Sequence, residues 1–220
     1  MAPAEAGARS DGIALRQAII ATALQMNALG INRGKSGNVS ARIDGGFLVT
    51  PSALPYDETG PEDIVIVRED GSATGTRVPS SEWRFHRAIY VARPEVQAIV
   101  HAHSPFATTL ACLDRAIPAF HYMVAVAGGN DIRCAPYATF GTQELADHAV
   151  RALDGRDACL LSHHGMIAVG DSLRDALALA VEVETLAEMY WRSLQLGEPS
   201  ILDAREMESV LQRFAHYGRP

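Results

Sequence analysis

Apolar and polar positions divide this chain into short strands and longer helices. From about Asp11 to Leu29, the residues Ile13, Leu15, Ile19, Ile20, Leu24, Met26 and Leu29 recur at helical spacing and cover more than one face. That pattern predicts a well-buried helix, capped by Ser10 and stopped by Gly30. Val39–Ile43 alternates as a strand, Asp44-Gly45-Gly46 turns, and Phe47–Thr50 returns, which reads as a hairpin; Ile64–Val67 is a third strand. Ser80 or Ser81 then caps a helix that runs to about Ala92 and ends before Arg93-Pro94, placing Glu82 in its first turn.

The second half follows the same logic. Ala98–His103 is a buried strand, and Ser104-Pro105 opens a helix to about Leu113. Residues 117–140 show no clear period. Thr142 caps a helix to about Leu153, Ala158–Leu161 is a strand that ends in Ser162-His163-His164-Gly165, and Met166–Val169 continues the sheet. Ser172 caps a long helix, Leu173–Leu196, on which Glu182, Glu184 and Glu188 read as a solvated or interface side, and a last helix covers about Asp203–His216. The expected fold is α/β: a single-domain sandwich with a central, largely antiparallel β-sheet flanked by helices, and not a doubly wound repeat. Residues 1–10 are expected as a flexible tail and 11–220 as the domain.

Composition narrows the partners. A net charge of −7 with scattered Lys and Arg points away from nucleic acid. No apolar run approaches the ~20 residues of a membrane span, and the first residues lack the pattern of a signal peptide, so a cytoplasmic protein is expected. Cys112, Cys134 and Cys159 are odd in number and set among apolar neighbours, which reads as reduced core thiols.

The candidate chemistry gathers at strand ends. Side chains repeat every second residue on a strand, so His101 and His103 project from one face with their rings within reach of one ion. A second strand ends in His163 and His164, of which strand geometry allows one to join them, and spacing leaves either open. Three imidazoles with Glu82 or a water in the fourth position suit a borderline divalent ion, Zn²⁺ first. The helical His-Glu-x-x-His protease motif is absent, so such an ion is expected to polarise a carbonyl or stabilise an enolate. Hydroxyls of Ser80 and Ser81 at a helix start, and the loop Asn32-Arg33-Gly34-Lys35-Ser36-Gly37-Asn38, have the composition of an anion site.

These residues carry a family likeness. Gly37-Asn38-Val39-Ser40, Thr50-Pro51-Ser52, Ser80-Ser81-Glu82-Trp83, His101-Ala102-His103 and His164-Gly165, in this order, resemble the class II aldolase/adducin family. His121-Tyr122-Met123-Val124-Ala125, Cys134–Thr142 and Tyr217-Gly218 narrow the likeness to its branch that cleaves L-fuculose 1-phosphate. The resemblance implies that His101, His103 and His164 bind Zn²⁺, and that Glu82 shares the metal and serves as acid/base at substrate C3. It implies that Gly37, Asn38, Ser52, Ser80 and Ser81 hold a phosphate. By the same likeness Tyr122 exchanges a proton at the aldehyde oxygen, Phe140 lines the aldehyde end, and Tyr217 closes the site. Ala53 stands in the phosphate segment where family members commonly have Gly.

The implied reaction is zinc-dependent retro-aldol cleavage of a ketose 1-phosphate to dihydroxyacetone phosphate and a small aldehyde, in a homotetramer with sites at subunit boundaries. The sugar is expected to be L-fuculose 1-phosphate, giving L-lactaldehyde, or 5-methylthioribulose/5-deoxyribulose 1-phosphate of sulfur salvage. The alternatives within the family are a pentulose-phosphate 4-epimerase and a non-catalytic adducin-like module.

Overall fold

A computed structural model describes residues 12–216. Alternation along the strands builds a separate core on each face of one sheet. Val100 packs with Ile19 and Met26 of α1 (Ile13–Ala28), Leu110 of α3 (Pro105–Ala111), and Val183 and Leu186 of α5 (Leu173–Leu196). Its neighbour Ile99 belongs to the opposite core, with Phe85 and Ile89 of α2 (Trp83–Ala92) and Leu145 and Ala149 of α4 (Gln143–Ala152). α6 (Ala204–His216) adds Met207 to the first core.

The sheet holds nine described strands in the order β4-β3-β2-β1-β5-β9-β8-β7-β6. They are β1 Asn38–Ile43, β2 Gly46–Val49, β3 Val65–Arg68, β4 Ala73–Thr74, β5 Ala98–Ala102, β6 Ile117–Pro118, β7 Asp131–Ala135, β8 Ala158–Leu161 and β9 Gly165–Gly170. Every neighbouring pair is antiparallel except β7 and β8, which α4 connects in parallel. The expected sandwich is therefore the observed one. The unassigned stretch 117–140 becomes β6, a 3₁₀ segment over Tyr122–Ala127, and β7. None of the described helices is long and apolar enough to cross a membrane.

Several expectations need correction. The first helix begins at Ile13 after Gly12, so Ser10, like the tail and Tyr217, lies outside the described residues. It is buried along one side only: Ile19, Thr22, Ala23 and Met26 are covered, whereas Ile13, Leu24 and Leu29 are exposed. Neither Ser80 nor Ser81 caps α2. The cap position is Glu82, and its backbone N–H donates to the Ser80 hydroxyl at 3.3 Å. The Ser104 hydroxyl does not cap α3 either. Glu184 performs that task from α5, accepting the N–H groups of Phe106 and Ala107 at 2.8 and 2.9 Å. Free N–H groups at a helix start favour a carboxylate there, so Glu184 is a cross-helix cap and not a solvated side chain. Cys159 is buried, Cys134 half-buried and Cys112 exposed, all three as free thiols, so Cys112 is not a core residue.

Candidate metal centre

β5 is the strand on which the site is built. Its centre is buried between β1 and β9, pairing Asn38 with His101 and His101 with Ile167. Ile99 and His101 share a face by alternation, and Ile99 lies in the core beneath α2. His101 therefore meets the start of α2, where Glu82 stands. Gly37 permits the close approach just before β1: a Cβ there would lie 2.5 Å from the His101 carbonyl oxygen and 2.8 Å from Cε of Met26.

Four ligand atoms converge. Those of Glu82, His101, His103 and His164 all lie within 4.8 Å of one another. His101 Nε2 is 3.1 Å from Glu82 Oε2, His164 Nε2 is 3.0 Å from Glu82 Oε1, and His103 Nε2 is 3.0 Å from His101 Nε2. His164 comes from the turn between β8 and β9, not from a strand, and His163 occupies its left-handed position at φ 53°. That turn, and not strand alternation, separates the two histidines: His163 is exposed while His164 faces the cluster. Gly165 completes it, because a Cβ would lie 2.5 Å from the Ala102 carbonyl and 3.1 Å from the His103 ring.

The donor set fits a cation. Glu82 Oε1 is buried without a directed hydrogen bond, although His164 Nε2 is near, so lone pairs gather about a shared centre. His101 Nδ1 donates to the Met166 carbonyl at 2.8 Å, leaving the Nε2 lone pair facing inward. Burial and the neighbouring His101 and His164 push His103 down to about 3, which keeps its ring neutral. Burial alone would raise the Glu82 pKa, but His101 and His164 outweigh it and hold the carboxyl well below its usual range. A carboxylate and three imidazoles, buried or half-buried, constitute a site able to bind a divalent metal.

Beside the cluster lies a cavity of about 290 Å³, lined by Ser36, Ser81, Glu82, His103, Tyr137 and Phe140 among others. Ser36 and Ser81 bring two loops to its lining, and hydrogen bonds tie a third loop, 50–53, to them. Ser52 N–H donates to the Val78 carbonyl at 2.9 Å and Ser80 N–H to the Thr50 carbonyl at 3.1 Å, joining residues 50–53 to 78–81. Lys35 Nζ reaches the Ala53 carbonyl at 2.8 Å and brings the 32–38 loop alongside. Ala53 has φ 61°, a conformation that favours glycine, so its methyl group is held at some cost in backbone strain. Ala53→Gly is expected to raise the unfolding free energy by up to about 1 kcal/mol, as relief of backbone strain exceeds the added freedom of the unfolded chain. A urea midpoint measures it.

The structure does not bring every candidate to this cavity. Tyr122 is 50% exposed and stacks on Phe214 of α6, away from the cavity lining. Asn38 is buried, with one amide N–H donated to Glu82 Oε2 at 3.0 Å. Sequence reasoning missed Tyr137 in the lining and the buried residues His86, Ser40 and Tyr90 behind Asn38. A signal existed for His86: it stands four residues after Glu82 and so lies one helical turn along the same side.

Sequence and structure comparisons identify the family. The model of the class II aldolase and adducin N-terminal domain matches residues 17–191, and the chain belongs to that family. Within it the chain is an enzyme of the aldolase class, a carbon–carbon lyase. It is 59% identical over 206 residues, 94% of its length and 93% of the relative's, to the 5-methylthioribulose-1-phosphate/5-deoxyribulose-1-phosphate aldolase of Rhodospirillum rubrum. It is 48% identical over 205 residues, covering 93% of its own length and 95% of the relative's, to the L-fuculose phosphate aldolase of Escherichia coli strain K12. A solved L-fuculose 1-phosphate aldolase superposes with a TM-score of 0.90 at 38% identity, over 96% of this chain and 99% of that one.

Proposed function

We propose that the protein is a zinc-dependent aldolase that cleaves 5-methylthioribulose 1-phosphate or 5-deoxyribulose 1-phosphate to dihydroxyacetone phosphate and a small aldehyde. The observation that carries the reaction class is the convergence of His101, His103, His164 and Glu82 around one centre, with Glu82 Oε1 buried and lacking a directed hydrogen bond. His101, His103 and His164 would hold the Zn²⁺, with Glu82 as a fourth ligand until substrate arrives. The bound ion supplies positive charge for the ketone and adjacent hydroxyl oxygens, on which negative charge gathers as the carbon–carbon bond breaks.

The chain's own groups provide the rest. Ser52, Ser80, Ser81 and the backbone at Gly37 and Ala53 receive the phosphate, close to the ammonium of Lys35. Tyr122 takes the proton of the C4 hydroxyl as the C3–C4 bond opens, and the aldehyde departs along Tyr137 and Phe140. The electron pair stays with the phosphate-bearing fragment, and Glu82 delivers to C3 a proton taken up from solvent, while Tyr122 releases the C4 hydroxyl proton to solvent, so that protons balance over the cycle. Because Tyr122 lies away from the cavity lining of its own chain, the proposal includes a homotetramer in which a neighbouring subunit delivers Tyr122 and Tyr217.

The choice of sugar rests on the relative at 59% identity and on the apolar aldehyde end. Tyr137 and Phe140 are exposed aromatic side chains beside the cluster, suited to a methyl or methylthio terminus. Steady-state kinetics with both sugars tests it: kcat/KM is expected to be at least about tenfold higher for 5-methylthioribulose 1-phosphate than for L-fuculose 1-phosphate, a difference of about 1.4 kcal/mol in transition-state binding. The reverse ratio would favour the fuculose reading.

A further inference from the structure

We propose that Asn38, His86, Ser40 and Tyr90 form a positioning unit for Glu82, a buried hydrogen-bond chain of fixed polarity that holds the Asn38 amide with its nitrogen, not its oxygen, against the carboxylate. The proposal rests on the reading of Glu82 as the acid/base. All four residues are almost wholly buried, Asn38 and Tyr90 at 3% and 5% exposure and Ser40 and His86 at 0%. Asn38 Nδ2 lies 3.0 Å from Glu82 Oε2, Asn38 Oδ1 2.5 Å from His86 Nε2, His86 Nδ1 2.7 Å from Ser40 Oγ, and Ser40 Oγ 2.8 Å from the Tyr90 hydroxyl.

Donor and acceptor rules give this chain one consistent direction. A carboxylate only accepts, so Asn38 must present its N–H₂ group to it, and its carbonyl then faces His86. His86 is fully buried, and burial together with nearby His101 pushes its pKa down to about 3, so the neutral ring carries one proton. That proton must sit on Nε2 to reach Asn38 Oδ1. Nδ1 is then an acceptor, the Ser40 hydroxyl donates to it, and the Tyr90 hydroxyl donates to Ser40. Turning the Asn38 amide over would set two acceptors face to face at Glu82 and require the proton of His86 on Nδ1. The ring is held flat against Phe85 and Phe47, with centroids 4.6 and 6.2 Å away, so it does not readily turn to exchange its nitrogens.

These residues touch no reacting atom in the proposed reaction, and they act through the orientation of one amide. With that amide fixed, Glu82 Oε2 is tethered and Oε1 is left toward His164 and the cavity, which is the pose from which it can serve both the ion and C3.

Histidine ¹H–¹⁵N correlation spectra of the zinc-loaded protein test the polarity directly, with the His86 signal assigned by its loss in His86→Gln. The expected result is a neutral ring protonated at Nε2; protonation at Nδ1 would overturn the proposal. Kinetics supply the second arm. His86→Leu is expected to lower kcat by about 10–100-fold with unchanged metal content and KM within about threefold, and His86→Gln, whose amide can offer an N–H to Asn38, recovers most of it. A Gln variant as slow as the Leu variant would reduce His86 to packing, and a loss confined to KM would assign Asn38 to the substrate instead; either overturns the positioning role. Should His86→Leu fail to fold, Ser40→Ala, which removes one hydroxyl, is expected to lower kcat by about 3–10-fold, and wild-type turnover would contradict the proposal. Wild-type protein that cleaves no ketose 1-phosphate overturns the aldolase reading, while the His86 tautomer still decides the polarity.

Discussion

Glu82→Gln lowers cleavage of the ketose 1-phosphate by about 10²–10⁴-fold while metal content stays at the wild-type level. The substitution preserves shape and a carbonyl oxygen, so Asn38 Nδ2 can still donate to the side chain as it does to Glu82 Oε2 at 3.0 Å. What it removes is the capacity to exchange a proton at C3. The three imidazoles remain to hold the ion, and metal analysis of the purified variant beside kcat separates loss of chemistry from loss of metal. Parallel loss of metal and activity would instead make Glu82 chiefly a ligand.

Stripping the divalent ion with a chelator is the second large effect. It abolishes turnover, and Zn²⁺ restores it. The thermal midpoint should fall with the activity, because the ion binds the assembled cluster and not the unfolded chain. At a free concentration of 100 times its dissociation constant a ligand of that kind adds about 2.7 kcal/mol of stability. Glu82, His101, His103 and His164 bring their ligand atoms within 4.8 Å of one another, so an ion at their centre would tie together residues remote in sequence. Scanning fluorimetry of chelated and zinc-loaded protein measures the shift; an unchanged midpoint with retained activity would remove the metal from the account.

How much of this was legible in the sequence follows from which interactions are local. Strand alternation pointed to His101 and His103 together; β5 ends at Ala102, one residue short of the expected strand, and His103 joins His101 in the cluster from just beyond the strand end. The helix start at Ser80-Ser81-Glu82 was legible to within a residue, but its capping was not. Backbone N–H of Ser80 is engaged by Thr50 across the chain, and the helix begins at Trp83. Glu184 escaped for the same reason: its partners at Phe106 and Ala107 are remote in sequence, and a glutamate on a long helix looks solvated until the neighbouring helix start is placed against it. The choice between His163 and His164 needed the left-handed turn at His163, which residue types alone do not announce.

Tyr122 shows a different limit. Its motif is readable, but within one chain it stacks on Phe214 and leaves the cavity beside Glu82 open. The helical pattern of α1 carries the same message. Ile13, Leu24 and Leu29 complete its apolar circumference, yet they are exposed in the single chain. Hydrophobic periodicity reports burial in whatever assembly the chain works in, and a tetramer would cover such surface.

Loaded with metal, the Glu82/His101/His103/His164 cluster is expected to break the C3–C4 bond of a ketose 1-phosphate. The most direct test is enzyme-coupled detection of dihydroxyacetone phosphate from 5-methylthioribulose 1-phosphate and from L-fuculose 1-phosphate, with zinc-loaded and chelated protein side by side. Release from at least one sugar by the zinc-loaded protein, and none after chelation, is the predicted result. No release from either sugar with zinc bound, or release that persists undiminished after chelation, would contradict it.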